Sequence, residues 1–354
     1  MRVAIIGAGL AGLSCALTLE KHGIIPDIYE QFDRCGGRVP FIICLLQLIH
    51  RPVPDPLVDL NINYGINIRP INPLKKIIRF SPNKMARSEG QLGYIFEMGP
   101  SSRSITSQLC EQLSARIKFN TVAGLNQLLP DYDRVVVATG SPNLAKELGL
   151  WTDVFRCWVR GAVVEGDFDP SAWVIWFNKT YFNNGYAYLA PFSSKKASLV
   201  TIISDVLEKD LETHWQMFLD TEKIEYREKE SFILEHISGV CHQKEIGKTI
   251  LTGNSAALME AVFGFGLYNA VISGVMAAQA IIENTSYEEK IAFLNKKLHQ
   301  SILLRRRLNA FKDRNYDQLL EVFNIPPLNH LIYNTNLDIL KHHAIFSELI
   351  SDKL

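Results

Sequence analysis

The chain has 354 residues, of which 37 are basic and 37 acidic, so its formal net charge is zero. A length of about 150 residues per domain predicts two domains, and the 47% hydrophobic and 21% charged fractions exclude a disordered or collagen-like chain. The even charge argues against a broad electrostatic surface for nucleic acid or an anionic bilayer.

The cysteines and apolar runs indicate the compartment. Six cysteines are scattered along the chain without the C-x-x-C spacing of a zinc or dithiol motif, which fits a reducing compartment. The first apolar run follows a single basic residue and is interrupted by glycines, unlike a signal peptide. The longest other apolar run, 41–49, has about nine residues, whereas a membrane span needs about twenty. We therefore predict a cytoplasmic protein without a metal site, and leave peripheral membrane contact open.

The first thirty residues combine a strand, a glycine-rich turn, a helix, a second strand and an acid. Val3–Ile6 predicts a buried parallel strand, and residues 13–22 predict a helix that Gly23 ends. Residues 26–30 predict a second strand that ends at Glu30. The turn has the sequence G-x-G-x-x-G, which consists of Gly7, Ala8, Gly9, Leu10, Ala11 and Gly12.

Each part of this unit has a task in dinucleotide binding. Gly7 permits the tight turn, Gly9 lets a pyrophosphate approach the backbone, and Gly12 lets the helix pack on the strand. The helix N-terminus offers free N–H groups to the phosphates. Glu30 would accept hydrogen bonds from ribose hydroxyls, and its charge disfavours the 2′-phosphate of NADP. The unit predicts dinucleotide binding but does not separate NAD from FAD.

The segment after Glu30 favours FAD. It has the pattern E-x-x-x-R-x-G-G-R, in which the second to fifth defined positions are Arg34, Gly36, Gly37 and Arg38. The pattern resembles the flavoprotein family that includes amine oxidases and geranylgeranyl reductases. The resemblance implies that the glycine pair passes close to the ribityl chain and flavin, and that an arginine helps to bind the phosphates. The predicted cofactor-binding residues of this segment are Gln31, Arg34, Gly37 and Arg38. A surface loop with two turn glycines is the alternative.

A second segment, 133–140, predicts a buried strand that stops at a close backbone approach. It ends in Ala138, Thr139 and Gly140, and is similar to the A-T-G motif of two-dinucleotide flavoproteins. The resemblance places these three residues at the cofactor, whereas an ordinary core strand is the alternative.

A third segment, 248–282, combines a strand, a glycine-polar turn, a glycine-rich loop and a long helix. It resembles the late flavin-binding segment of the p-hydroxybenzoate hydroxylase-like and geranylgeranyl reductase families. In those families a G-D pair holds the ribityl hydroxyls, and a helix N-terminus points at the flavin, where it stabilises negative charge on the reduced ring. Asn254 stands where the families usually have aspartate, but its amide can still accept and donate. The cofactor-binding residues that the resemblance implies are Gly253, Asn254, Gly264, Phe265, Gly266 and Leu267.

The order of these segments predicts the domain organisation. We expect an α/β fold with a Rossmann-like FAD-binding domain, whose sheet is mostly parallel, built from 1–75, 100–150 and 241–285. An antiparallel-sheet substrate domain, 76–99 and 151–240, is inserted into it, with 185–191 paired to 199–204. Residues 286–354 form a C-terminal helical region. Its run of arginines at 305–307 predicts a solvated face, with partner or lipid contact as the alternative.

The aromatic residues of the inserted domain suggest a substrate pocket. Most are expected in the sheet core, and a few to line an apolar pocket over the flavin. The sequence Tyr186-x-Tyr188-x-Ala190-Pro191 resembles the Y-x-W-x-F-P segment of geranylgeranyl reductases, and its two replacements imply an altered or wider pocket. The candidate catalytic proton donors are Tyr186, Tyr188 and Cys35. Cys35 lies in R-C-G-G, similar to a segment of archaeal reductases, and a buried small side chain is its alternative role.

These features predict an FAD-dependent oxidoreductase, geranylgeranyl reductase-like, that transfers hydride through flavin N5 to or from an apolar small molecule. The chain has a single G-x-G-x-x-G, so NAD(P)H would bind transiently or an electron-donor protein would act instead. The alternatives are an amine oxidase-like flavoenzyme and a flavin-binding protein that needs a partner for activity. A hydroxylase is disfavoured because the strand before residue 140 ends in A-T-G-S-P rather than a D-G segment.

Overall fold

The computed structural model describes residues 1–338 and 341, in which the chain forms fourteen strands and thirteen α-helices. The strands are β1 (Val3–Ile6), β2 (Asp27–Tyr29), β3 (Phe41–Leu46), β4 (Asn72–Phe80), β5 (Met85–Met98), β6 (Ile117–Lys118), β7 (Arg134–Val137), β8 (Trp151–Glu165), β9 (Ala172–Trp176), β10 (Tyr186–Pro191), β11 (Lys196–Ser204), β12 (Arg227–Cys241), β13 (Glu245–Ile246) and β14 (Thr249–Leu251). The helices are α1 (Leu10–Lys21), α2 (Gln47–His50), α3 (Pro56–Ile62), α4 (Ile105–Glu111), α5 (Leu125–Leu128), α6 (Asn143–Glu147), α7 (Lys179–Phe182), α8 (Leu211–Glu222), α9 (Leu267–Glu283), α10 (Tyr287–Lys290), α11 (Ala292–Asn309), α12 (Asp313–Phe323) and α13 (Pro326–Asn334).

The first sheet has six strands in the order β13-β14-β7-β1-β2-β6. All neighbouring pairs are parallel except β13–β14, which is antiparallel. All four residues of the central strand β1 are buried, as a run of apolar residues between two parallel neighbours requires. Helices α1 and α9 pack backbone to backbone, because a Cβ at Gly274 would lie 2.1 Å from the Ala11 carbonyl oxygen. The predicted Rossmann-like unit is therefore confirmed.

The second sheet has eight strands in the order β12-β8-β11-β10-β9-β4-β5-β3. Its pairs are antiparallel, except for the parallel pair β4–β9. The predicted pairing of 185–191 with 199–204 is confirmed, since Tyr186 lies opposite Ile202 and Pro191 opposite Ala197. This hairpin forms from segments that are close in sequence, which makes it visible to a pattern of alternation.

One part of the second sheet differs from the predicted boundaries. Strand β3 and the start of β4 belong to the eight-stranded sheet, although residues 1–75 were assigned to the FAD-binding domain. The reason is the long-range pairing of β3 with β5, from Phe41 opposite Met98 to Leu46 opposite Gly93. The rest of β5 agrees with the predicted range 76–99, and its outer half pairs with the outer half of β4.

The region after residue 285 is helical as far as the structure describes it. The first part of the predicted helical region 286–354 forms the two helices α10 and α11. Pro326 occupies the first turn of α13, a position where its missing N–H costs nothing. The rest of the predicted C-terminal region lies outside the described residues and consists of 339–340 and 342–354. Within residues 1–338 and 341, every helix is too short or too polar to cross a bilayer.

Candidate functional site

A cavity of about 910 Å³, here called the edge cavity, lies at the carboxyl ends of the parallel strands. Ile6, Val137 and Thr252, from the ends of β1, β7 and β14, form part of its wall. This edge is where open α/β sheets bind ligands. Helices α1 and α9 both begin in the same wall, at the N-cap residues Gly9 and Gly266. Since glycine has no side chain to cap a helix, the first-turn N–H groups are left for a ligand.

The second and third glycines of the turn, Gly9 and Gly12, have different surroundings. A Cβ at Gly9 would meet no heavy atom of the described residues within 4 Å, so the backbone there borders open space. A Cβ at Gly12 would lie 2.0 Å from the carbonyl oxygen of Gly7, so that position is closed by packing of α1 on the turn. Gly9 can therefore admit a ligand to the backbone, whereas Gly12 brings the helix against the strand.

The Glu30 carboxylate is buried at the end of β2 and held by the backbone. One oxygen accepts from the Ala8 N–H at 2.8 Å, and the other accepts from the Phe32 N–H at 2.9 Å. A carboxylate has about four acceptor positions, so two remain for hydroxyl donors in the edge cavity. The geometry thus orients the acid for the ribose contact that its position in the sequence predicts.

Most of the predicted cofactor-binding residues come together in the wall of the edge cavity. They are Gly7, Gly9, Leu10, Ala11, Glu30, Gln31, Gly37, Ala138, Thr139, Gly140, Gly253, Asn254, Gly264, Gly266 and Leu267. Arg34 and Arg38 instead form ion pairs with Asp33 at the surface, and Phe265 faces a second cavity. These two arginines lie outside the cavity wall, because both pair with Asp33 where all three side chains are exposed to water.

The second cavity, here called the aromatic cavity, has a volume of about 320 Å³ and covers one face of the eight-stranded sheet. A row of cross-strand neighbours forms its floor: Tyr186 on β10, Ile202 on β11, Val159 on β8 and Leu234 on β12. The residues shared by the walls of both cavities are Phe41, Ile43, Asn254, Met259, Gly264, Gly266 and Leu267. The two cavities therefore adjoin, and the loop before α9 borders both.

The predicted proton donors Tyr186 and Tyr188 both line the aromatic cavity, but each hydroxyl already donates to the backbone. Tyr186 donates to the Phe263 carbonyl at 2.6 Å, and Tyr188 donates to the Ile42 carbonyl at 3.0 Å. Burial raises the pKa of both phenols above their ordinary value. In this arrangement the two tyrosines fix the loop before α9 and strand β3, and their protons are not available without breaking those bonds.

Replacing Tyr186 by phenylalanine is expected to lower the free energy of unfolding by about 1 kcal/mol, because the buried hydrogen bond to Phe263 is lost. Urea unfolding of the variant and the native protein measures the difference. Tyr226→Phe, at a more exposed tyrosine, is the matched control and should change stability less. Equal stability of Tyr186→Phe and the native protein would mean that the hydrogen bond to Phe263 contributes nothing, so that the hydroxyl could donate its proton to a substrate.

Cys35, the third predicted donor, contacts neither cavity wall. Its side chain is buried and its Sγ lies 2.6 Å from the Sγ of Cys110 on α4. The loop that contains Cys35 and Gly36 lies directly on α4, since a Cβ at Gly36 would be 2.2 Å from the Thr106 hydroxyl oxygen. Contact with Cys110 and burial raise the pKa of the Cys35 thiol, which opposes a role in acid–base chemistry at neutral pH. The position favours the structural alternative.

Several residues of the aromatic cavity were not identified from the sequence. Alternate residues in part of β8 and of β12 line this cavity, including Phe155, Phe232 and His236. The alternation of residues along these two strands was therefore the sequence pattern that could have identified them. Arg305 was predicted on a solvated face, but only 4% of its surface is exposed. It continues the buried stripe of α11, whose other members are Leu294, Leu298 and Ser301. This helical spacing, rather than the run of three arginines, was the informative pattern.

Sequence comparisons find a family model and a curated relative that each match a short stretch of the chain. Residues 5–42 match the family model of an NAD(P)-binding Rossmann-like domain. A stretch of 39 residues is 62% identical to a 15-cis-phytoene desaturase of Synechococcus elongatus, and it spans 11% of this chain and 8% of the desaturase. The family model covers the end of β1, the glycine turn and α1, which form one side of the edge cavity.

Solved structures resemble the whole fold. A geranylgeranyl bacteriochlorophyll reductase-like protein from Thermoplasma acidophilum superposes with a TM-score of 0.76 at 15% identity, over 99% of this chain and 98% of that one. The flavin-dependent halogenase CmlS gives a TM-score of 0.63 at 16% identity, over 91% and 64% of the two chains. A flavin-dependent brominase gives 0.61 at 15% identity, over 99% and 93%. The chain therefore has the fold of FAD-binding flavoproteins, which the geranylgeranyl reductase-like proteins share with flavin-dependent halogenases.

Proposed function

We propose that this protein is an FAD-dependent oxidoreductase that transfers hydride to or from an apolar small molecule. The observation that carries the proposal is the shared wall of the two cavities. The edge cavity and the aromatic cavity adjoin there, along the loop before α9. A cofactor in the first cavity can thus meet a substrate in the second.

The residues of the edge cavity fit FAD. Its volume of about 910 Å³ lies within the usual range of cofactor sites, about 300–1,000 Å³. Gly9 and the start of α1 offer N–H groups to the pyrophosphate, and Glu30 offers acceptors to the ribose. The Asn254 amide, in the shared wall, would hold the ribityl chain. The N-terminus of α9 would then face the flavin and stabilise negative charge on its reduced ring.

FAD supplies two-electron chemistry at its flavin ring, so the chain itself must bind, orient and shield the reactants. The rings of the aromatic cavity exclude water from the space beside the shared wall. They also favour an apolar substrate, since most of the cavity floor is formed by aliphatic and aromatic side chains. The fold likeness to a geranylgeranyl bacteriochlorophyll reductase-like protein favours reduction of a C=C bond. We propose NAD(P)H as a transient electron donor.

Anaerobic electron transfer tests this proposal. The FAD-loaded protein is first exposed to NADH or NADPH and, if the flavin stays oxidised, is reduced with dithionite. It is then mixed with a panel of apolar alkenes, and we expect at least one to restore the absorbance of the oxidised flavin without oxygen. A reduced protein that ignores every alkene but reacts rapidly with oxygen and releases peroxide would instead support the amine oxidase-like alternative.

A further inference from the structure

Cys35 and Cys110 form a pair of thiols outside the walls of both cavities. The Cys35 thiol donates to the Cys110 Sγ across 2.6 Å, although the two residues lie 75 positions apart along the chain. A disulfide bond is about 2.05 Å long, so a shift of about 0.5 Å would bring the two sulfur atoms to bonding distance. The fold therefore places two free thiols where they can be joined covalently.

The two thiols differ in reactivity. Cys35 is buried, and its hydrogen bond to Cys110 together with this burial raises the pKa of its thiol. Cys110 is only half-buried, and the hydrogen bond that it accepts from Cys35 stabilises its thiolate and lowers its pKa. The thiolate is the form of cysteine that attacks an oxidant. Cys110 is therefore the nucleophile of the pair, and Cys35 is the neighbouring thiol that can close a disulfide.

The other four cysteines are less reactive than Cys110. All of them are buried, and burial raises the pKa of each thiol; they are Cys15, Cys44, Cys157 and Cys241. A buried thiol in apolar surroundings is inert towards oxidants, because it forms little thiolate and the oxidant cannot reach it. An oxidant should thus select Cys110 among the six cysteines of the chain.

A bond between the two sulfur atoms would join the cofactor loop, here defined as residues 31–38, to helix α4. Gly36 and Gly37 of this loop lie in the wall of the edge cavity. Helix α4 is anchored in the core of the parallel-sheet domain by Ile105 and Leu109, which are fully buried. The bond would therefore tie part of the cofactor wall to a helix of the core.

We propose that Cys35 and Cys110 form a reversible disulfide with a hydroperoxide as the oxidant, and that this bond locks the cofactor loop and slows the release of FAD. The Cys110 sulfur attacks one oxygen of hydrogen peroxide, the O–O bond breaks, and the other oxygen leaves as water with the thiol proton. The Cys35 sulfur then attacks the resulting sulfenic acid, the S–O bond breaks, and a second water leaves. In total two thiols lose two electrons and two protons, and one peroxide becomes two waters. A dithiol reverses the bond by exchange.

The disulfide would keep the cofactor loop where the structure has it, because the two sulfur atoms are already in contact before the bond forms. Opening of the loop would remove part of the wall of the edge cavity, so a locked loop hinders the exit of FAD. In a reducing compartment such a bond is transient and responds to an oxidant. The effect on FAD rests on the proposed function, whereas the disulfide itself does not.

Mass spectrometry of the native apo protein tests the disulfide. A small molar excess of hydrogen peroxide should lower the intact mass by two hydrogen atoms, and a peptide that contains Cys35 should be recovered joined to one that contains Cys110. Dithiothreitol should reverse both changes. Cys110 that stays reduced, Cys110 that is oxidised without the linked peptide, or Cys35 joined to a different cysteine would overturn the proposal. This experiment does not depend on the folding of a variant.

Thermal unfolding and FAD release test the lock. The disulfide closes a loop of about 75 residues in the unfolded chain, so oxidation should raise the melting temperature of the apo protein by about 5 °C. It should also slow FAD release from the loaded protein by about threefold or more, as followed by flavin fluorescence after dilution. A linked protein that releases FAD as fast as the reduced protein, or faster, would contradict the lock.

Variants assign both effects to the pair. In Cys110→Ser, peroxide should produce no linked peptide and should change neither the melting temperature nor the rate of FAD release. Cys241→Ser is the matched control, because the buried Cys241 side chain donates to the Gln243 carbonyl at 3.2 Å and a serine hydroxyl can donate there too. It should respond to peroxide as the native protein does. Equal responses of native protein and Cys110→Ser would overturn the assignment.

The failure of this proposal and that of the proposed function are distinguishable, because the disulfide is measured in the apo protein. A yellow protein that binds FAD but forms no linked peptide would overturn the disulfide and leave the oxidoreductase. A protein that forms the linked peptide but cannot be loaded with FAD would overturn the oxidoreductase, and the lock with it, and leave the redox-reactive pair.

Discussion

Replacing Gly9 by valine is expected to weaken FAD binding about hundredfold while the apo protein keeps its fold. The new side chain would enter the open space in front of the α1 N-terminus, where the pyrophosphate approaches the backbone. Overpacking at such a contact costs roughly 1–3 kcal/mol, and every 1.4 kcal/mol is about tenfold in affinity. FAD titration of the apo variant, followed by flavin fluorescence, measures the change.

The contrast with Gly12 makes this result specific. A Cβ at Gly12 would collide with the Gly7 carbonyl, so Gly12→Ala should lower the melting temperature of the apo protein. Gly9→Val should shift that temperature by only a few degrees, because glycine is a modest N-cap whose loss costs under about 1 kcal/mol. Native affinity for FAD in a folded Gly9→Val protein would show that the pyrophosphate lies elsewhere.

Replacing Glu30 by alanine is expected to have the second large effect, again a loss of FAD affinity of about hundredfold. The ribose hydroxyls would lose their hydrogen bonds to the Glu30 carboxylate, and a hydrogen bond to a charged group contributes about 1.5–3 kcal/mol. The variant also leaves the N–H groups of Ala8 and Phe32 without their acceptor, so the free energy of unfolding should fall by about 1–3 kcal/mol. FAD titration and urea unfolding measure the two effects separately.

Asp33 provides the matched control for Glu30. It is an acid three residues later, but its ion pairs with Arg34 and Arg38 are exposed to water. Exposed pairs contribute under about 1 kcal/mol, so Asp33→Ala should change FAD affinity by less than about threefold. Loss of affinity in both variants would point to a general effect of charge, and loss in neither would remove the ribose from Glu30.

The two sheets line cavities of different chemical character. The parallel sheet ends at backbone groups and glycines, which suit a large anionic cofactor. The antiparallel sheet presents one face of aromatic and aliphatic side chains, which suits an apolar ligand. The loop before α9 belongs to both, and Tyr186 holds it through the Phe263 carbonyl. Its position links the cofactor to whatever the aromatic cavity binds.

Local patterns in the sequence were enough for β1, β2, β7 and β14 of the parallel sheet, but not for its short edge strands β6 and β13. Val3–Ile6, the glycine turn and the acid at Glu30 lie within thirty residues, and each has a distinct residue type for its task. The pairing of β10 with β11 was also predictable, because a short turn joins two alternating segments. Both cases depend on contacts between neighbours in sequence.

Long-range contacts account for the differences. The apolar run of β3 gives no sign of its partner β5, which begins some forty residues later along the chain. The sequence makes Cys35 a candidate proton donor, but its Sγ contacts Cys110, which lies 75 residues away along the chain. Arg305 was hidden in a run of three arginines, although its helical spacing from Leu298 placed it on the buried face of α11.

FAD binding itself is measured by the absorbance spectrum of the purified protein after incubation with FAD and removal of the excess. We expect the bands of an oxidised, protein-bound flavin at about one FAD per chain, held by the single G-x-G-x-x-G unit. A colourless protein that still unfolds cooperatively and cannot be loaded with FAD would contradict it.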